Sequence, residues 1–180
     1  MMRATLFTLG HSTRTPDETL DILRAYGVQL LVDVRTIPRS RHNPQFNKDV
    51  FGKFLRNRRI NYRHMKELGG LRHAQKDSKN KGFRNKSFQG YADYMQTPAF
   101  AQAIDKLIEL AKKKVVIIMC AEAVPWRCHR SLIADALTIR KIPVRHIFTK
   151  TNARLHSLTS FAKVHGKALT YPPSTATTPQ

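Results

Sequence analysis

The chain has 180 residues, 32 of them lysine or arginine against 12 aspartate or glutamate, for a formal net charge of +20 and an isoelectric point near 10.6. That length suits one domain able to bury a core, and a purely structural role does not need so large a basic excess. Charge balance speaks to partners rather than to fold, and nucleic acid, whose phosphates reward clustered lysine and arginine through counterion release, is the leading partner; a protein that is merely basic is the competing reading. No segment reaches the roughly 20 apolar residues of a membrane span, and the opening residues are too short an apolar run for a secretory signal. The two cysteines, Cys120 and Cys128, offer no disulfide framework, so a reducing cytoplasm is the expected location.

In chain order, Ala4 to Leu9 reads as a first strand. Thr15 is placed as the N-cap of a helix, with Pro16 at its first position and Glu18 completing a capping box; Gly27 is the expected stop. Gln29 to Arg35 reads as a second, buried strand, so a right-handed parallel crossover joins the two. A polar, irregular segment follows from Thr36 to Lys48. Asp49 to Arg59 reads as a basic helix and Ile60 to Met65 as a third strand. Lys66 to Lys86 carries no pattern, and loops of that length are usually functional or disordered. Tyr91 to Met95 and Pro98 to Lys112 read as helices. The apolar run from Val115 leads into Cys120, reads as a strand buried on both faces, and is followed by a helix over Ser131 to Leu137; Val144 to Phe148 is a last strand. The expected fold is a three-layer α/β sandwich with a mainly parallel sheet, a single domain over residues 1–150, with an extension over 151–180 that loses order from about residue 172.

In such sheets ligands bind beyond the carboxyl ends of the strands. Three connections are expected to meet there: one with His11 and Ser12, one with Asp33 and Arg35, one with Cys120, Glu122, Cys128, His129 and Arg130. Asp33 stands in an apolar strand, where an unpaired carboxylate is costly, and Arg35 has the parity to share its face. The pair is either an internal ion bridge or a site in which Asp33 works as acid, base or orienting group. Glu122, just past a strand end, is either a cap or arginine partner, or a second carboxylate able to activate water and stabilise an oxocarbenium-like transition state, which suits removal of a base from a sugar. Arg127, His129 and Arg130 surround a helix start, where backbone amides favour an anion. Cys120 is a possible nucleophile, with Arg127 and the helix start near enough to lower a thiol pKa, although phosphatase-like loops curl around anions with glycines that are absent here. Zinc is not expected: Cys-x7-Cys-His matches none of the usual short spacings, and Cys120-Ala121-Glu122 matches only one half of the zinc deaminase signature. The basic segments, from Arg39 to His42, Arg56 to Arg63 and Arg72 to Lys86, interleave Phe46, Phe54, Tyr62, Phe83 and Phe88, a composition suited to phosphate contact and base stacking or, more simply, to solvated loops over a core.

The chain resembles a known family, domain of unknown function family 488. The matching motifs are Thr8-Leu9-Gly10-His11-Ser12-Thr13, Leu31-Val32-Asp33-Val34-Arg35, Pro38-Arg39-Ser40, Asn43-Pro44-Gln45-Phe46-Asn47, Leu68-Gly69-Gly70, Gly90-Tyr91-Ala92-Asp93-Tyr94-Met95, Met119-Cys120-Ala121-Glu122 and Cys128-His129-Arg130-Ser131. They recur in order over about residues 4 to 148. The resemblance implies a compact α/β domain with these motifs gathered at one site, and it implies little about a reaction.

The expected activity is that of an enzyme acting on nucleic acid or a nucleotide, by hydrolysis of a base–sugar bond, without a cofactor. Glu122 and Asp33 would do acid–base or electrostatic work, and His11 and Ser12 would position water or substrate. Arg35, Arg39, Arg127, His129 and Arg130 would hold phosphate. Two readings compete: a non-catalytic nucleic-acid-binding protein, and a cysteine-dependent transferase or phosphatase-like enzyme.

Overall fold

A computed structural model of the chain describes residues 6–173; the first two residues of the expected opening strand, and the tail beyond residue 173, lie outside them. Strands β1 (Leu6–Gly10), β2 (Leu30–Asp33), β3 (Asn61–His64), β4 (Val116–Cys120), β5 (Val144–Ile147) and β6 (Ala153–Leu155) form one sheet in the order β3-β2-β4-β1-β5-β6. The pairings among β1 to β5 are parallel, and β6 closes one edge antiparallel to β5. This is the three-layer α/β arrangement, and its central strands read as unbroken apolar runs because both faces are covered.

Alternation along the strands divides the core. Leu6, Leu30, Val32, Val116 and Ile118 pack on one side against α3 (Lys86–Tyr94), α4 (Pro98–Lys113) and α5 (Arg130–Thr138). Leu9, Leu31, Ile117 and Met119 pack on the other against α1 (Pro16–Ala25) and α2 (Lys48–Arg56). Successive strand residues point to opposite faces, so each central strand feeds both cores. The start of α1 follows its sequence signals: Glu18 N donates to Thr15 Oγ1 at 3.1 Å and Thr15 N donates to Glu18 Oε2 at 2.7 Å.

Two segments differ from expectation. The patternless stretch after residue 65 is ordered by one buried carboxylate: Asp93 of α3 accepts from Gln75 N at 2.8 Å, Ser78 Oγ at 2.7 Å and Asn80 Nδ2 at 2.7 Å. The helix carrying Asp93 also begins earlier than expected, capped by Asn85, whose side chain accepts from Ser87 N at 2.8 Å. Packing does not stop at residue 150 either. β6 extends the sheet, a hairpin of β7 (Lys163–His165) and β8 (Ala168–Thr170) follows, and Tyr171 is fully buried with its hydroxyl 2.9 Å from Asp135 Oδ2. These strands are short and mostly solvent-facing, so they carry little hydrophobic period. No helix among the described residues is long and apolar enough to cross a membrane.

Candidate functional site

The carboxyl ends of β1, β2 and β4 open on a cleft of about 790 Å³. His11 and Ser12 enter it from β1, Arg35 from β2, Cys120 and Glu122 from β4, and Arg127, Cys128 and His129 from the turn into α5. The β1 and β4 tips are tied together by backbone: His11 N donates to the Cys120 carbonyl and Ser12 N to the Ala121 carbonyl, each at 2.9 Å. Gly10 makes this closeness possible, because a side chain there would collide with the Glu122 carbonyl.

Asp33 is not on the cleft wall. It is fully buried, and it accepts from Arg35 Nε at 2.9 Å, Arg35 Nη2 at 2.6 Å, Arg35 N at 3.1 Å and Tyr62 Oη at 2.6 Å. Its oxygens are committed, so it is an internal anchor and not an acid or base facing substrate. Burial works against the Arg35 charge, but the bonds to Asp33 outweigh it and hold the guanidinium above its ordinary pKa. Burial and the adjacent Asp33 push the Tyr62 hydroxyl upward. Tyr62 was legible only as an aromatic in a basic stretch; its meeting with Asp33 follows from the parallel β2–β3 pairing.

His11 is 1 % exposed and stacks on Phe46 with ring centroids 4.1 Å apart. Its Nδ1 lies 2.9 Å from the Ser12 carbonyl. A carbonyl only accepts, so Nδ1 carries the proton and Nε2 the lone pair, and that Nε2 is buried without a partner. Burial lowers the His11 pKa to about 4, against the opposing Ser12 hydrogen bond, so the ring is neutral near neutral pH. Ser12 holds a left-handed φ of 49°, a conformation that costs a non-glycine residue of order 1 kcal/mol or more and that gathers at functional sites.

Arg130 and Arg39 do not serve as cleft ligands for phosphate. Arg130 is 1 % exposed and braces the site from behind: its Nη2 donates to the Glu122 carbonyl, its Nε reaches Cys128 Sγ at 3.3 Å and its Nη1 reaches Thr8 Oγ1 at 3.5 Å. Behind Thr8 runs a buried polar chain, from Thr8 Oγ1 to His146 Nδ1 (2.7 Å), His146 Nε2 to His156 Nδ1 (2.9 Å) and His156 Nε2 to Asp135 Oδ1 (2.7 Å). Arg39 is exposed and outside the cleft. Arg127, also exposed, does line it. Of the aromatics in the basic segments, Phe46 and Phe83 serve the cores while Phe88 borders the cleft.

Cys120, Cys128 and His129 converge, with their ligand atoms all within 4.8 Å of one another. A hydrogen bond from the Cys120 thiol, helped by His129 and Arg130, holds the Cys128 thiol well below its ordinary pKa despite burial. The same contact and burial push Cys120 upward. Of the two sulfurs, the one whose surroundings favour the thiolate is therefore Cys128, not Cys120 as the sequence suggested. Chain spacing concealed this cluster, because the short turn at Pro125–Arg127 folds Cys128 back onto the tip of β4.

The two buried neutral histidines make stability depend on pH. Burial lowers both His11 and His146 to about 4, whereas an unfolded histidine titrates near 6.5. The unfolded chain thus binds more protons between these values, and stability rises with pH across that window. The stabilisation is present above about pH 6.5 and lost as pH falls toward 4, on the order of 2–3 kcal/mol for each ring. Urea midpoints at about pH 7, 5.5 and 4.5 should fall in that order with an unchanged slope; a flat midpoint would contradict the assignment.

The fold and site together define a three-layer α/β protein with a polar, cysteine- and histidine-bearing cleft at the carboxyl edge of its sheet. The chain belongs to the family described as Domain of unknown function DUF488, which matches residues 15–137. β2, β4 and the turn into α5 fall within the match, while His11, Ser12 and the strands after α5 lie outside it. No curated protein and no solved structure is found similar to the chain.

Proposed function

We propose that the cleft is the active site of an enzyme that hydrolyses a base–sugar bond in nucleic acid or a nucleotide. The observation that carries this reading is Glu122, a half-buried carboxylate on the wall of a nucleotide-sized cleft that it shares with neutral His11. The basic surface, at +20 overall, supports a polyanionic substrate. In the proposed step water bonds through its oxygen to the anomeric carbon and gives a proton to Glu122. The carbon–nitrogen bond breaks with its electron pair leaving on the base, which takes up the proton that Glu122 received, so that the carboxylate is regenerated. His11 and Ser12 at the tip of β1 help to position the substrate, Arg127 meets phosphate, and Phe88 offers a ring to the base. Asp33 contributes by positioning Arg35.

The test incubates the protein with normal, damaged and modified oligonucleotides at two salt concentrations and analyses the products. Free base should appear, and Glu122→Gln should slow its release by roughly 10²–10⁴-fold while leaving substrate binding within a few-fold. Salt-sensitive binding without product from any substrate would make the protein a binding module and overturn the proposal. So would undiminished turnover by Glu122→Gln.

A further inference from the structure

We propose that Cys120, Cys128 and His129 form a three-ligand site for a zinc-class divalent ion, with the remaining coordination position open to the cleft. Three independent features support it. The first is the orientation of His129: its Nε2 donates to the Val34 carbonyl at 3.0 Å, which fixes the proton there and leaves the Nδ1 lone pair free. Ligand imidazoles are held in this way, by a carbonyl or carboxylate on the other ring nitrogen. The second is spacing. Zinc–sulfur and zinc–nitrogen bonds of ~2.3 and ~2.0 Å at a tetrahedral angle set sulfur and nitrogen ~3.5 Å apart; Cys128 Sγ lies 3.7 Å from His129 Nδ1. The third is the seat of the ring. At Gly70 a β-carbon would sit 2.5 Å from His129 Nδ1, 2.9 Å from Cγ and 3.0 Å from Cε1, so the absence of a side chain lets the imidazole lie flat against this backbone with Nδ1 beside Cys128 Sγ.

The donor set fits the ion. Two thiolates and an imidazole suit a soft or borderline metal, and two negative charges neutralise a dication. Arg130 Nε, 3.3 Å from Cys128 Sγ, favours the thiolate form and can remain as a donor to a bound sulfur. All three ligands border the cleft, so the fourth position faces solvent or substrate. Two cysteines, one histidine and a water is a known ligand set of catalytic zinc, and such a water ionises near neutral pH. Glu122 lines the same cleft. The site is defined by its ligands and stands apart from the choice of substrate.

The experiment uses the full-length protein with thiols reduced. Elemental analysis after equilibration with zinc and removal of excess should find one ion per chain. Cobalt in its place should give the intense sulfur-to-metal absorption of thiolate coordination. Cys120→Ser and His129→Ala should each abolish stoichiometric retention, with circular dichroism reporting the fold. Gly70→Ala keeps every ligand and should weaken binding on the order of tenfold or more. A folded wild-type chain with titratable thiols and no retained zinc would overturn the proposal. Equal retention and an unaltered cobalt spectrum in Cys120→Ser and His129→Ala would do so as well, by placing the ion elsewhere.

Discussion

Asp33→Ala should lower the free energy of unfolding by about 3–5 kcal/mol, the cost of leaving one member of a buried ion pair without its partner. The carboxylate is fully buried and receives three N–H donors of Arg35 together with the Tyr62 hydroxyl. Its removal strands a guanidinium whose remaining contact is the Phe46 carbonyl at 2.7 Å. The loss should therefore exceed that of a surface bridge such as Lys112–Glu109, which solvent screens. Replacing both members, as Asp33→Leu with Arg35→Met, should recover part of the stability, because no charge is then stranded. Chemical denaturation of the two variants checks both statements; a loss below about 1 kcal/mol for Asp33→Ala would mean that the pair is solvated like a surface bridge.

Asp135→Ala should also be damaging, because each buried donor left unsatisfied costs about 1–3 kcal/mol, and should show a different spatial signature. One oxygen accepts from His156 Nε2 at 2.7 Å and Thr159 N at 3.0 Å, the other from Thr159 Oγ1 at 2.7 Å and Tyr171 Oη at 2.9 Å. All four of these donors belong to residues after β6, so the carboxylate fastens the end of the chain to α5. Hydrogen exchange in the variant should rise first across residues 153–171, ahead of the central strands β1 and β4. Uniform loss of protection would show instead that this segment and the sheet unfold as one unit.

Local signals were legible where local physics decides them. Thr15, Pro16 and Glu18 announce a helix start because capping bonds span only three residues, and the Val116–Met119 run announces a central strand because two covered faces leave no room for polar residues. Asp33 with Arg35 was legible as a pair, since strand parity places both on one face. Other features depend on folding back in three dimensions. Arg130 reads as a phosphate ligand at a helix start, yet the loop holding Glu122 closes over it. Cys120 and Cys128 are too widely spaced for a familiar metal loop, and only the turn between them brings their sulfurs together. The residues after β5 were illegible for another reason: their anchors, His156 and Tyr171, are single side chains seeking one distant carboxylate, and no periodicity records that.

The strand order has a consequence for the birth of the protein on the ribosome. β4 lies between β1 and β2, yet it is made more than eighty residues after β2 ends. Until it emerges, no strand joins β1 to the β2–β3 pair, and the α5 side of the core around Leu6 and Val32 is still missing. Non-local parallel pairing of this kind is slow and exposes sticky edges while it waits. The nascent chain must carry its two halves as separate, unfinished pieces, and the lysines and arginines concentrated between β2 and α3 keep the waiting segment mutually repelling and hydrated. The strand that completes the sheet also delivers Cys120 and Glu122, so the cleft comes into being at the moment the fold closes.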